Sequence, residues 1–321
     1  MAAEAIELDA QYRALREEAG LLDRSERARI AVTGTESGEF LQGQLTNDVE
    51  GLEPGGGCYA ALLDRKGHVR ADMRVLRVDD ATFLIDTEPE AGAAVLSHLS
   101  MYKIGRDAEV SELGGGERLL SLIGPRSEAI VGSPLGPESS HREVTIAGVG
   151  CRAIATDLGA DLIVPAEAAD AVEAALLAGG AERIEDGAAE IARVEAGRPR
   201  LGREIEPDRT MPQEAGINDR AVSFTKGCYI GQETVARLHY KGKPNRHLRL
   251  LTSETPLTAG ATVRAGEREV GTIGTAVLSP ARGPLALAIL RREAEPGAAV
   301  EVDIGGEAVA ATVEDIAESE G

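Results

Sequence analysis

Aromatic side chains are nearly absent from this 321-residue chain, which has no tryptophan, three phenylalanines and five tyrosines. Its cores must therefore be aliphatic, and a hydrophobic content of 43% supplies enough Ala, Val, Leu and Ile for ordinary globular packing. Positive charge is also scarce. Against 54 acidic residues stand 34 Lys and Arg, only five of them lysines, and the net charge of −20 disfavours a general nucleic-acid or anionic-membrane surface. Cysteine is sparse. Cys58, Cys151 and Cys228 are widely spaced, with no Cys-x-x-Cys pair and no Cys/His pair at zinc spacing, which argues against an autonomous zinc site and a secreted disulfide scaffold. No apolar run approaches the ~20 residues of a membrane-spanning helix. The first ten residues carry Glu4, Glu7 and Asp9 and no basic segment, so they do not read as a signal peptide. A cytoplasmic protein is expected.

Length fits about two domains at roughly 150 residues each. Leu8, Tyr12, Leu15, Ala19 and Leu22 recur at helical spacing and predict a helix over 8–22. A strand at 29–33 and a helix over 35–45 follow, then strands at 58–63, 69–78 and 83–85. Thr87-Glu88-Pro89-Glu90 has the form of a capping box opening a helix that carries Ala91, Val95, Leu99 and Tyr102 on one face. Residues 132–140 read as a surface loop, 187–196 as a helix, and 197–220, rich in Gly, Pro and charge, as ordered but irregular. Beyond Gly242-Lys-Pro-Asn245 the pattern changes to about six short strands, 248–252, 261–264, 268–278, 285–290, 299–304 and 308–313. Gly266, Gly271/Gly274 and Gly305-Gly306 read as hairpin marks. That pattern fits a small β-barrel.

What is present is concentrated near residue 230. Residues 226–233 read Lys-Gly-Cys-Tyr-Ile-Gly-Gln-Glu, with Cys228 two residues after Lys226 and between two glycines. A thiol acts as its thiolate, which a nearby ammonium favours. Three of the eight aromatic residues (Phe224, Tyr229, Tyr240) and three of the five lysines lie close by. From Lys226 to Arg249 six basic residues, Lys226, Arg237, Lys241, Lys243, Arg246 and Arg249, face one acidic residue, Glu233. This strip is either a solvated face or an anion site for a carboxylate or phosphate.

The octapeptide resembles the signature of the YgfZ branch of the folate-binding aminomethyltransferase-like superfamily, which also contains the glycine cleavage T-protein. Residues 34–49, with Thr46-Asn47-Asp48, resemble the family's early helix. Residues 67–75 resemble its Gly-x-x-x-x-Asp strand, and residues 193–204, with Arg-Val-Glu-Ala-Gly-Arg-Pro, resemble its Arg-x-Glu-Ala-Gly element. Pro212-Gln-Glu-Ala215 and the octapeptide follow in the family's order, so the likeness covers nearly the whole chain. In the T-protein branch the segment matching 226–231 usually has an acidic residue and Phe-Ile-Gly, so Cys228 favours the YgfZ branch.

The resemblance implies an α+β, ring-like aminomethyltransferase folate-binding fold. Residues 1–243 would form the folate-binding region, in two interleaved subdomains, and residues 244–321 a C-terminal β-barrel. It implies tetrahydrofolate or a derivative as cofactor. Asp72 matches the catalytic aspartate of the T-protein branch, and a carboxylate beside a folate's reactive nitrogens can orient the ring or move a proton. Glu195 matches the pterin-binding glutamate, since one carboxylate accepts two adjacent N–H donors. Lys226, Tyr229 and Arg237 are the further cofactor-binding candidates, with the basic residues placed to meet a folate's anionic glutamate tail. Cys228 is expected as a nucleophile or a transient cluster ligand. One thiolate cannot hold an iron–sulfur cluster alone, so other ligands would come from a partner. Cys58 and Cys151 read as structural thiols, and no resident metal is expected. Three functions remain open. The first is a folate-dependent accessory factor in iron–sulfur cluster assembly or repair, a monomer acting on client proteins or cluster-assembly factors. The second is a one-carbon (aminomethyl) transferase or demethylase with Asp72 as acid/base group. The third, an RNA-binding module on the basic strip, is disfavoured by the net charge.

Overall fold

The computed structural model describes residues 2–316, and of residues 2–7 the backbone alone. The described chain divides into two compact units. The first takes the residues up to Leu63, Arg70–Ala189 and Arg220–Ile230. The second takes Asp64–Val69, Glu190–Asp219 and the residues from Gly231 onward.

The first unit holds two sheets. One has five strands in the order Gly57–Leu63, Val69–Arg77, Thr82–Thr87, Ala28–Thr33, Glu109–Glu112. The other has six, in the order Glu182–Arg183, Gly20–Asp23, Glu117–Ile123, Gly159–Pro165, Val149–Thr156, His141–Ile146. Strand periodicity sorts the side chains. Along Val69–Arg77, Val69, Ala71, Met73 and Val75 are buried, while Arg70, Asp72 and Arg74 share the opposite, half-buried face. Aliphatic side chains fill the core as the composition requires: Leu120, Leu122, Ala153, Leu162, Val164 and Val172 are each at most 1% exposed.

Several expectations fail for physical reasons. The first helix is Ala2–Glu17, so Ala19 and Leu22 belong to the neighbourhood of the strand Gly20–Asp23 and not to a helix over 8–22. Leu21 and Leu22 are buried and pair with Leu122 and Ser121, and that burial makes the segment a strand. The helix Pro89–Tyr102 forms with Pro at its start and buries Ala91, Val95 and Leu99, but no side chain caps it. The Thr87 hydroxyl donates instead to the Asp72 carbonyl, 2.6 Å away, so the capping box is not made. Residues 132–140 do form a loop, yet Leu135 and Ser139 within it are buried, at 0% and 3% exposure.

The second unit is organised around a closed barrel. Its strands run Arg246–Thr252, Gly283–Arg291, Arg268–Ser279, Thr262–Ala265, Ala299–Ile304 and Glu307–Glu314 around the barrel, the last pairing back to the first. All six lie within a few residues of their expected positions. Leu251, Val263, Ile273, Leu290, Val302 and Val313 fill the interior. Gly271 and Gly274, expected at a hairpin, lie inside the strand Arg268–Ser279. The register shifts between Ile273 and Thr275, and a Cβ on Gly274 would stand 2.8 Å from the Glu204 carboxylate, so close approach is what requires glycine there. Among the described residues no helix is long and apolar enough to cross a membrane.

Candidate active site

Within the first unit a cavity of about 190 Å³ is lined by residues from both sheets, among them Arg27, Tyr59, Asp72, Arg74, Ser139 and Asp161. Asp72 and Arg74 reach it because they are two residues apart on one strand and share a face. The Tyr59 hydroxyl, from the adjacent strand, donates to Asp72 Oδ2 at 2.6 Å. Asp72 Oδ1 is buried and has no hydrogen-bond partner. Burial pushes the Asp72 carboxyl above the usual carboxylate range and Glu88 adds to this, while the Tyr59 hydroxyl and Arg27 act the other way. Burial likewise holds the Tyr59 phenol well above its ordinary value, with the Asp72 charge adding to it.

A network of paired charges supports these two groups. Arg74 Nε donates to Asp86 Oδ2 and Arg74 Nη1 to Asp161 Oδ2, both at 2.7 Å, which ties the five-stranded sheet to the six-stranded one. Arg74 Nη2 is buried without a partner. Arg27 binds Asp86 at 2.8 Å and also pairs with Glu88. Burial alone would raise the Asp86 carboxyl, but Arg74 and Arg27 hold it below the ordinary range. The Arg220 guanidinium lies 5.2 Å from the centre of the Tyr59 ring and pairs with Glu138.

The residues 42–47 and 220–226 are stitched together. Asn47 Nδ2 donates to the carbonyls of Tyr59 and Arg220 at 2.8 and 2.9 Å, and the Thr46 hydroxyl donates to the Ala221 carbonyl at 2.6 Å. Lys226 Nζ donates to the carbonyls of Gln42, Leu45 and Asn47 at 2.6, 2.7 and 2.9 Å and lies 5.1 Å from the Tyr229 ring centre. Burial lowers the Lys226 ammonium to about 8, with Asp48, Cys58 and Glu50 pulling upward. Its ammonium is thus engaged by carbonyls, and the thiol among its electrostatic neighbours is Cys58, not Cys228.

The structure separates the site residues expected from sequence. Asp72 lines the cavity; Lys226, Cys228 and Tyr229 belong to the same unit but do not line it. Cys228 is exposed, Cys151 buried and Cys58 half-buried, with burial pushing the Cys58 thiol up to about 12. Tyr229 is buried and its hydroxyl has no partner. Glu195 and Arg237 lie in the second unit. Glu195 ends the helix Asp186–Glu195 and accepts a hydrogen bond from Ser279, while Arg237 sits exposed on the helix Gln232–Lys241. Two of the six basic residues of the strip are neutralised by acidic partners. Arg246 holds Glu214 through two hydrogen bonds, at 2.9 and 2.8 Å, and Arg249 pairs with Asp315 at 2.9 Å. Pro212-Gln-Glu-Ala215 is thereby structural as well, since Gln213 Nε2 donates to the Val235 carbonyl at 2.9 Å. Sequence reasoning passed over Tyr59, Arg74, Ser139 and Arg220. Arg74 alone carried a local signal, its two-residue spacing from Asp72.

These features define a mixed α/β protein with a carboxylate-bearing, small-molecule-sized cavity and a separate closed barrel. Residues 4–226 match the GCVT N-terminal domain, and residues 246–316 match the glycine cleavage T-protein C-terminal barrel domain. The aminomethyltransferase of Corynebacterium aurimucosum is 31% identical over 92% of this chain and 85% of its own length, and that of Geobacillus kaustophilus 29% over 94% and 88%. The crystal structure of the glycine cleavage system aminomethyltransferase T from Bartonella henselae shares the fold with a TM-score of 0.86, at 24% identity, over 96% of this chain and 88% of that one. The chain belongs to the aminomethyltransferase (glycine cleavage T-protein) family.

Proposed function

We propose that the chain is a folate-binding protein of the YgfZ branch, acting in the cytoplasm on iron–sulfur client proteins through the exposed thiol of Cys228. The observation that carries this is the exposure of Cys228 in a segment anchored by Lys226, while Cys58 is half-buried and Cys151 buried. Tetrahydrofolate or a derivative fits the Asp72 cavity because Asp72 Oδ1 is an acceptor without a partner and a reduced pterin ring carries N–H donors. When bound, a reduced folate supplies a carrier for one-carbon units. Asp72 would accept a hydrogen bond from the ring, Tyr59 would hold the carboxyl in place, and the Arg74–Asp86–Arg27 ion pairs would keep the wall behind them rigid. An iron–sulfur cluster enters as cargo. Among the described residues no group of three or more His, Cys, Asp or Glu is placed to hold a metal, so Cys228 would act on clusters whose other ligands come from a client or assembly factor.

A second reading is one-carbon (aminomethyl) transfer or demethylation with Asp72 as acid/base group. The raised Asp72 carboxyl and its free oxygen favour it, as do relatives named as aminomethyltransferases.

Anaerobic calorimetric titration with tetrahydrofolate, run beside complementation of cells lacking the protein, separates the two. The accessory role predicts that Cys228→Ser binds tetrahydrofolate as the wild type does yet fails to restore iron–sulfur enzyme activity. Full restoration by Cys228→Ser would overturn it and leave the transferase reading, for which Asp72→Ala is the inactive variant.

A further inference from the structure

We propose that Ser139 is a ligand-contacting residue of the Asp72 cavity, its hydroxyl completing a set of one acceptor, one donor and one group able to act as either. The inference rests on the cavity's being the folate site. Ser139 lines the same cavity as Asp72 and Arg74 and is 3% exposed. Its backbone is left-handed, with φ 67°. Two other non-glycine residues share a positive φ among those described, Ala147 and Asp208, and both are exposed. Ser139 is the buried one.

Left-handed backbone favours Gly, Asn and Asp, so a buried serine in that state carries strain that its surroundings must impose. The imposing contacts are visible. Ser139 N–H donates to the Ala155 carbonyl at 2.9 Å, and the Ser139 carbonyl lies so close to Gly57 that a Cβ there would stand 2.6 Å from it. Glycine at 139 would relieve the strain at no cost in hydrogen bonds, because the Ser139 hydroxyl makes none to any described residue. A polar group held by a strained backbone, without a protein partner and on a cavity wall, is placed for a ligand.

The three spare groups are complementary in kind. Asp72 Oδ1 accepts, Arg74 Nη2 donates and the Ser139 hydroxyl does either. A ligand edge that alternates N–H donors with a carbonyl acceptor, as the amino-oxo edge of a reduced pterin does, satisfies all three. A hydrocarbon or a purely anionic ligand does not.

The test compares Ser139→Ala, which keeps the backbone strain, with Ser139→Gly, which releases it. Both lose the hydroxyl. Anaerobic titration with tetrahydrofolate is expected to show both variants binding roughly fivefold or more weakly than the wild type, the loss of one hydrogen bond. Thermal melting is expected to place Ser139→Gly at or above Ser139→Ala, so that affinity falls without a fall in stability. Wild-type affinity in both variants overturns the inference. So does weakening confined to Ser139→Gly, which would trace the effect to the backbone. Absence of binding by the wild type would instead remove the folate reading on which the inference stands.

Discussion

Lys226 Nζ lies 2.7 Å from the carbonyl oxygen of Leu45, the residue that ends the helix Ser37–Gln44. The last carbonyls of a helix have no intrahelical donor, and a cation there also meets the negative end of the helix dipole. Lys226 therefore works here as a cap supplied from 181 residues away in sequence.

Replacing Lys226 with methionine keeps much of the apolar stem but leaves three carbonyls without their donor. A loss of about 2 kcal/mol is expected, given the usual worth of hydrogen bonds to a charged group. Denaturant titration checks the magnitude. Hydrogen exchange of residues 42–47 and 223–230 should accelerate in the variant and not elsewhere; uniform acceleration would mean that the cap is not local.

Asp72 carries a stability cost with a defined sign. Its carboxyl is raised in the folded protein by burial, so the folded state binds the proton more tightly than the unfolded chain does. Well below pH 4 both states are protonated and nothing is lost. As pH rises through the folded-state value, the unfolded chain gains the advantage of ionising and stability falls. Asp72→Asn should therefore melt higher than the wild type at neutral pH and should lack that decline with pH. A melting-temperature series from pH 3 to 8 is the measurement, and parallel curves for the two proteins would contradict the assignment.

The three thiols should separate in a timed alkylation with iodoacetamide at pH 7.5, read by peptide mass spectrometry. Cys228 is exposed and should label first. The thiols of Cys58 and Cys151 are raised by burial and should label only as the protein opens. Cys228→Ser should then show almost no fast phase and a stability within about 0.5 kcal/mol of the wild type.

Arg74→Met leaves Asp86 and Asp161 facing each other's sheets without their shared cation. Breaking a buried pair in this way costs about 3 kcal/mol or more. Adding Asp86→Asn and Asp161→Asn to Arg74→Met should recover part of the loss, because the penalty lies mainly in the charges left behind. No recovery in equilibrium denaturation would mean that Arg74 stabilises by packing alone.

The barrel was legible because its signals are local: short alternating strands separated by turn residues, each readable in a window of about ten. The first helix was misjudged at its end because Ala19 and Leu22 satisfy helical spacing and strand burial equally, and only the neighbouring strand Glu117–Ile123 decides between them. Thr87 has the local chemistry of a helix cap, yet the Asp72 carbonyl across the sheet is the partner it takes. The cavity was half legible. Asp72 stood out by resemblance, but Tyr59 and Ser139 reach it from segments far apart in sequence, and no periodicity reports such a meeting. Lys226 looked like an activator of Cys228 because the two are neighbours along the chain. The fold turns its ammonium toward Gln42, Leu45 and Asn47 instead.

Closure of the barrel has a consequence for synthesis on the ribosome. Its first strand, Arg246–Thr252, pairs with its last, Glu307–Glu314, through Leu250, Leu251 and Thr252. Until that last strand has left the exit tunnel, the first has an open edge and Leu251 lacks part of its cover. A nascent chain in which Glu307–Glu314 has yet to be made would thus present a sticky edge that the closed barrel does not show.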